Sequence, residues 1–215
     1  MAVQELENFV HFRAPFCAIV AGPSSSGKTV FARKFIDQID NLVAPKILDI
    51  FWHYPVYQKW FSEYENKVTF IKGLPNPDTF NSDRPSLRIV DDMMSDASKN
   101  TDMQEIFTRF SHHTGTSVLF LVQNFFAGGQ KIRTMTLNAQ YLIFLKNARD
   151  KAQIATLGRQ VFPGQSKFFK AAYDHALNQK PYSYLILDLH SASPDNVRLK
   201  TNIFKDEHPA IFYSD

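Results

Sequence analysis

The sequence predicts an α/β fold: a mostly parallel central sheet with helices on both faces. Short, wholly apolar runs of strand type alternate along the chain with stretches whose apolar residues recur at helical spacing. One strand-to-helix transition passes through Gly22-Pro23-Ser24-Ser25-Ser26-Gly27-Lys28-Thr29, which fits G-x-x-x-x-G-K-[ST]. About sixty residues later, the apolar run Leu87-Arg-Ile-Val90 ends in Asp91-Asp92.

The first strand is predicted over Pro15-Phe-Cys-Ala-Ile-Val-Ala21, an uninterrupted apolar run suited to a strand buried on both faces. After the glycine-rich loop, Phe31, Phe35 and Ile39, with Ala32 and Ile36, mark one side of a helix. Arg33, Lys34, Asp37 and Gln38 mark the other. Further strands are expected in Lys46–Trp52, Val68–Ile71, Leu87–Val90, Ser117–Val122, Tyr141–Leu145 and Tyr182–Leu187. Asp102 and Glu105 have capping-box spacing, and Met103, Ile106, Phe107 and Phe110 continue it at i, i+3, i+4, i+7. Phe168, Phe169, Ala172, Tyr173, Ala176 and Leu177 predict a second amphipathic helix. The final residues, 191–215, read as a hairpin or tail with a turn at Ser193-Pro-Asp195, appended to a core of about 13–190 in a single 1–215 domain.

The loop at 22–29 points to nucleotide chemistry. Two glycines permit a tight turn whose successive N–H groups face an anion, and the following helix adds the positive end of its dipole. Lys28 is expected to reach the β- and γ-phosphates of ATP, and Thr29 to hold Mg²⁺. These residues predict a P-loop NTPase. Mg²⁺ also requires a carboxylate at a neighbouring strand end, for which Asp91 is suited; Asp92 would orient or deprotonate the attacking water. Two adjacent acids also suit a capping turn or plain surface. Gln123, at the end of the 117–122 strand, would sense the γ-phosphate or place water, or else cap loop backbone. Arg149 is a candidate charge-neutralising finger; pairing with Asp150 or capping a helix are its alternatives. His112-His113 has no matching ligand set nearby, so surface histidines are expected.

Composition narrows the classes. The chain has 215 residues, 44% of them hydrophobic, enough for a full-sized core. No apolar run approaches the ~18 residues of a membrane span, and the polar, acidic start Met1–Glu7 does not read as a secretory signal. The single cysteine, Cys17, fits a reducing, intracellular setting. The net charge of +3 is unevenly spread: residues 130–170 carry eight cations against Asp150 alone, +7, which leaves −4 elsewhere. Such a segment suits an anionic partner, polynucleotide or triphosphate, or a solvated face. The loop Phe125–Arg133, with Gly128-Gly129, would touch nucleic acid, reach a neighbouring subunit, or simply move.

Beyond these motifs, two longer blocks carry a resemblance: Phe107-Thr-Arg-Phe-Ser-His-His-Thr-Gly-Thr-Ser-Val-Leu-Phe-Leu-Val-Gln-Asn124 and Leu137-Asn-Ala-Gln-Tyr-Leu-Ile-Phe-Leu-Lys-Asn-Ala-Arg-Asp150. With the P-loop and Asp91-Asp92, they resemble the genome-packaging ATPases of the FtsK–HerA superfamily, in the type found in poxviruses, virophages and Polinton-like elements. The resemblance spans residues 13–190. It implies an additional strand between the two nucleotide motifs and a homo-oligomeric ring that hydrolyses ATP to drive double-stranded DNA into a capsid. Capsid or portal-like proteins would be its partners, and virus assembly sites inside the host cell its location. It also implies that Lys28 and Thr29 serve ATP and Mg²⁺, Asp91 the metal, Asp92 catalysis, and Gln123 the γ-phosphate. Many relatives carry Glu where this chain has Asp92, one methylene shorter. Two alternatives share the P-loop: a nucleotide or nucleoside kinase, and a non-hydrolysing nucleotide-binding assembly factor.

Overall fold

The computed structural model describes residues 12–80, 84–99, 101–110, 113–125, 129–149 and 151–213. The Met1–Glu7 start, His112, Gly128 and Asp150 lie outside these residues. The strands are β1 (Phe12–Arg13), β2 (Cys17–Ala21), β3 (Val43–Ala44), β4 (Asp49–Tyr54), β5 (Thr69–Lys72), β6 (Ser86–Asp91), β7 (Thr116–Val122), β8 (Tyr141–Leu145), β9 (Tyr184–Asp188), β10 (Leu199–Thr201) and β11 (Ala210–Phe212). The helices are α1 (Lys28–Asp37), α2 (Ile39–Leu42), α3 (Met94–Lys99), α4 (Thr101–Glu105), α5 (Gly129–Asn138), α6 (Lys151–Val161) and α7 (Ser166–Leu177).

Nine strands form one sheet in the order β11-β10-β9-β8-β2-β7-β6-β4-β5. From β8 to β5 every neighbouring pair is parallel; β8-β9, β9-β10 and β10-β11 are antiparallel. β7 lies between β2, which leads into the P-loop, and β6, which ends in Asp91, so the sheet has the additional strand that the resemblance implies. β2, β7 and β8 are buried along their whole length, which explains their unbroken apolar runs.

Alternation along these strands builds two cores. Ala18, Val20, Leu87, Ile89, Leu119 and Leu121 face one side, where Phe31, Ala32, Phe35 and Ile36 of α1 and Ile39 and Leu42 of α2 cover them. Cys17, Ile19, Val90, Val118, Phe120 and Val122 face the other side. There Ala97 of α3, Met103 of α4, Ile132 and Met135 of α5, Ile154 of α6 and Phe169, Ala172 and Ala176 of α7 close over them. Burial of each large side chain contributes about 1.5–3 kcal/mol, so the two cores fix the relative height of α1 and the strand ends beneath it.

Several boundaries differ from expectation. β4 begins three residues later than predicted, because Leu48 is exposed and the strand continues through His53 and Tyr54. Asp102 lies inside the first turn of α4 rather than at its N-cap, and the chain continues as a π-type turn over Ile106–Phe110. Of the two readings of the terminal segment, hairpin or tail, the structure has the hairpin, with β10 and β11 paired antiparallel. Leu199 and Lys200 pair with Leu187 and Ile186, so β10 and β11 extend the main sheet. Lys200 there forms a buried ion pair with Asp188 (2.7 Å), whose carboxylate also accepts from Ser193 Oγ (2.8 Å) and the His190 N–H (3.0 Å).

Candidate functional site

β2 delivers the chain to the C-terminal edge of the sheet at Ala21, and the loop Gly22–Gly27 reverses it into α1. Gly27 adopts φ +106°, and a Cβ placed on it would stand 2.6 Å from the Tyr182 ring, so both conformation and space require glycine. At Gly22 a Cβ would meet Leu145 Cβ at 2.7 Å. The N-terminus of α1 has no side-chain cap. The first N–H groups of any helix lack intrahelical acceptors, so here they are left to an anion, with the helix dipole behind them. Ser26 Oγ is buried without a hydrogen-bond partner. The Lys28 ammonium donates to the carbonyls of Gly22 (2.8 Å) and Pro23 (3.1 Å), folding back over the loop it belongs to. Burial lowers the Lys28 pKa, and the negative charges of Asp92 and Asp91 oppose that shift. An uncapped helix end, an orphaned buried hydroxyl and an ammonium parked on loop carbonyls are together a fit for an oligophosphate.

Asp91 is reached across the sheet. It pairs in register with Leu121, and Leu121 with Val20, so it lies level with the last turn of β2 before the loop. Two strand spacings of about 4.8 Å separate them, roughly 10 Å in all. Asp91 follows Leu87 and Ile89 on the α1 side of the sheet, the side that carries Lys28 and Thr29. Only 5% of it is exposed. Burial and the adjacent Asp92 push its carboxyl up to about 6, while the Lys28 ammonium and the Trp52 indole oppose the rise. Trp52 Nε1 is itself buried without a partner at hydrogen-bond geometry. A buried, proton-hungry carboxylate beside an ammonium is an environment that a divalent cation relieves, and Thr29 is the hydroxyl available to share it.

Asp92 turns away from the strand. It has φ +51°, a left-handed conformation that Asp tolerates better than most residues, and its side chain is exposed. Gln123 Nε2 donates to Asp92 Oδ1 at 3.1 Å, so the two polar residues that end β6 and β7 meet. The structure therefore brings Lys28, Asp91, Asp92 and Gln123 to one end of the sheet. Arg149 follows β8 at the same end, but its guanidinium is exposed and joins no ion pair among the described residues. Its backbone N–H donates to Asn147 Oδ1 (2.9 Å), a turn leading into α6.

Arg88, which interrupts the apolar run of β6, stays buried because its charge is shared. It donates to the Thr79 carbonyl (3.0 Å), contacts His53 Nε2 (3.3 Å), and lies between Phe51 and Phe80, at 4.5 and 4.3 Å from the ring centres. Burial still lowers its pKa to about 10. The cations of 130–170 lie on α5, α6, α7 and the loop after β8, and all but half-buried Lys131 are exposed. Lys170 pairs with Asp174 four residues on, and Lys146 donates to Asn178 (2.9 Å). His113 is exposed. Among the described residues no helix is long and apolar enough to cross a membrane.

Two residues near the loop show no sign in sequence of a place beside it. Tyr182 reads as the first residue of a strand, but β9 begins only at Tyr184, and Tyr182 lies in the turn before it, where it reaches Gly27 because β9 runs antiparallel to β8. Trp52 reads as a core residue of β4, yet it faces the Asp91 carboxyl.

No family model matches the chain, and no curated protein does. Solved structures do. B204, the DNA-packaging ATPase from Sulfolobus turreted icosahedral virus, superposes with a TM-score of 0.58 at 14% identity, covering 95% of this chain and 100% of that one. The genome-packaging NTPase B204 from Sulfolobus turreted icosahedral virus 2, in complex with ATPγS, gives 0.54 at 13% identity over 94% and 98%. The same protein with AMP gives 0.51 at 14% over 83% and 94%. At this identity the likeness is one of fold, and it extends over nearly the whole of both chains. The chain has the P-loop α/β fold of the viral genome-packaging NTPases.

Proposed function

We propose that this protein is an ATP-hydrolysing motor that moves double-stranded DNA, acting as a homo-oligomeric ring that packages a viral genome into a capsid at assembly sites in the host cell. The observation that carries hydrolysis is the meeting of Gln123, one strand from the P-loop strand, with Asp92, two strands from it, beside buried Asp91. The step to DNA is supported by the sequence resemblance, by the fold shared with B204, and by the basic surface of α5, α6 and α7.

The residues divide the work. Lys28 exchanges the carbonyls of Gly22 and Pro23 for the β- and γ-phosphate oxygens, and the N–H groups at the start of α1, from Gly27 through Thr29, face the chain of phosphates. Thr29 and Asp91 would hold Mg²⁺, which offsets phosphate charge when bound. Asp92 accepts a proton from the attacking water, and Gln123 holds its carboxylate in place and registers the γ-phosphate. Arg149, exposed on the rim, would neutralise charge on phosphates of its own or a neighbouring subunit.

The test is phosphate release with and without double-stranded DNA, under conditions in which oligomers form. DNA is expected to stimulate release, the stimulation is expected to fall steeply with salt, and Lys28→Ala is expected to abolish both. Equal rates with and without DNA would remove the motor from this account and leave an NTPase.

A further inference from the structure

Beside the P-loop lies a cavity of about 160 Å³ that no step above uses. Val30, Phe31 and Lys34 of α1 form one wall; Pro181, Tyr182 and Glu207 lie opposite. It begins at Val30, within a turn of Lys28, and its far end at Lys34 lies six residues from Lys28, about 9 Å along α1 at ~1.5 Å per residue. That is the stretch a ribose and α-phosphate must cross from the loop. We infer that this cavity takes the base of a purine nucleotide, stacked on Tyr182. The inference rests on the nucleotide reading above and adds to it a residue that binds the base.

Three observations support the assignment. The Tyr182 ring lies against Gly27, yet the residue remains 54% exposed, so one aromatic surface is offered at the mouth of the loop. Its φ of +61° is rare for a bulky residue, and such conformations gather at ligand clamps. Val30, Phe31 and Pro181 give the cavity apolar surface beside the ring. The charged groups that line the cavity are already committed: Glu207 accepts from Tyr184 Oη (2.5 Å) and pairs with Lys180 (3.1 Å) and Lys34 (3.8 Å), and Lys34 also pairs with Asp206 (2.7 Å). With its carboxylate so engaged, the site reads the face of the base rather than its edge. ATP and GTP should therefore bind alike, within a few-fold.

The experiment compares Mg²⁺-dependent binding of ATP, GTP and inorganic tripolyphosphate to the full chain. Wild-type protein is expected to bind both nucleotides about tenfold more tightly than tripolyphosphate, the range of one aromatic–base stack. Tyr182→Phe keeps that advantage. Tyr182→Leu, which keeps bulk over Gly27 but not a flat ring, loses it and still binds tripolyphosphate. The inference is overturned if wild-type protein binds nucleotides no better than tripolyphosphate, or if Tyr182→Leu keeps the advantage. It also falls if that variant loses tripolyphosphate as well, since the ring then serves the loop. Failure of wild-type protein to bind any of the three would instead refute the P-loop reading, and this inference with it.

Discussion

Asp91→Asn is expected to stabilise the metal-free protein at neutral pH. In the fold, burial and the adjacent Asp92 push the Asp91 carboxyl up to about 6, against an ordinary 3.8. The gap of roughly two units corresponds to about 3 kcal/mol at ~1.4 kcal/mol per unit. Its sign follows from proton binding: between these values the folded chain holds a proton that the unfolded chain has released, so stability falls as pH rises. Below about pH 4 both states are protonated and no penalty exists; above about 6 it is fully present. Asparagine carries no charge to desolvate. In a chain of this size 1 kcal/mol moves Tm by about 2–4 °C, so the variant should melt several degrees above wild type at pH 7.5, by at most ~12 °C. The assay is thermal unfolding followed by circular dichroism in chelator, at pH 4 and 7.5. The gain should vanish at pH 4, and saturating Mg²⁺ should raise the wild-type Tm while leaving the variant unmoved. A variant melting at or below wild type at pH 7.5, or an equal gap at both pH values, would refute the burial argument.

Other consequences follow from the same geometry. Lys200→Met leaves Asp188 buried without its ammonium and should lower stability by about 3 kcal/mol in urea unfolding, with Lys200→Met/Asp188→Leu recovering most of it. Gln123→Ala removes the bond that holds Asp92; steady-state kinetics should show kcat down about tenfold or more with KM for ATP little changed.

The nucleotide elements were legible because their chemistry is local. The Gly22–Thr29 loop, the strand before it and the helix after it occupy consecutive residues, and Tyr141–Leu145 runs as predicted because a strand buried on both faces needs an unbroken apolar run. The pairing of Gln123 with Asp92 was only half legible. Each stands at a strand end in sequence, but their meeting depends on β7 and β6 being neighbours. Helix α6 gave weak signals, since Ile154 and Leu157 are sparse and Gly158 argues against a helix. The glycine is there because a Cβ would collide with the Phe169 ring of α7. Tyr182 reads as the start of a strand and not as a neighbour of the loop, because only the antiparallel return of β9 sets it over Gly27.

The most direct test of the central claim is single-turnover hydrolysis of ATP by wild-type protein, Lys28→Ala and Asp92→Asn, with nucleotide binding measured in parallel. Wild-type protein should cleave the bound ATP. Lys28→Ala should neither bind nor cleave it. Asp92→Asn should bind it and cleave about 100-fold more slowly or worse, as expected when a general base is removed. Wild-type protein that holds ATP intact for hours, or Asp92→Asn turning over at the wild-type rate, would contradict the account.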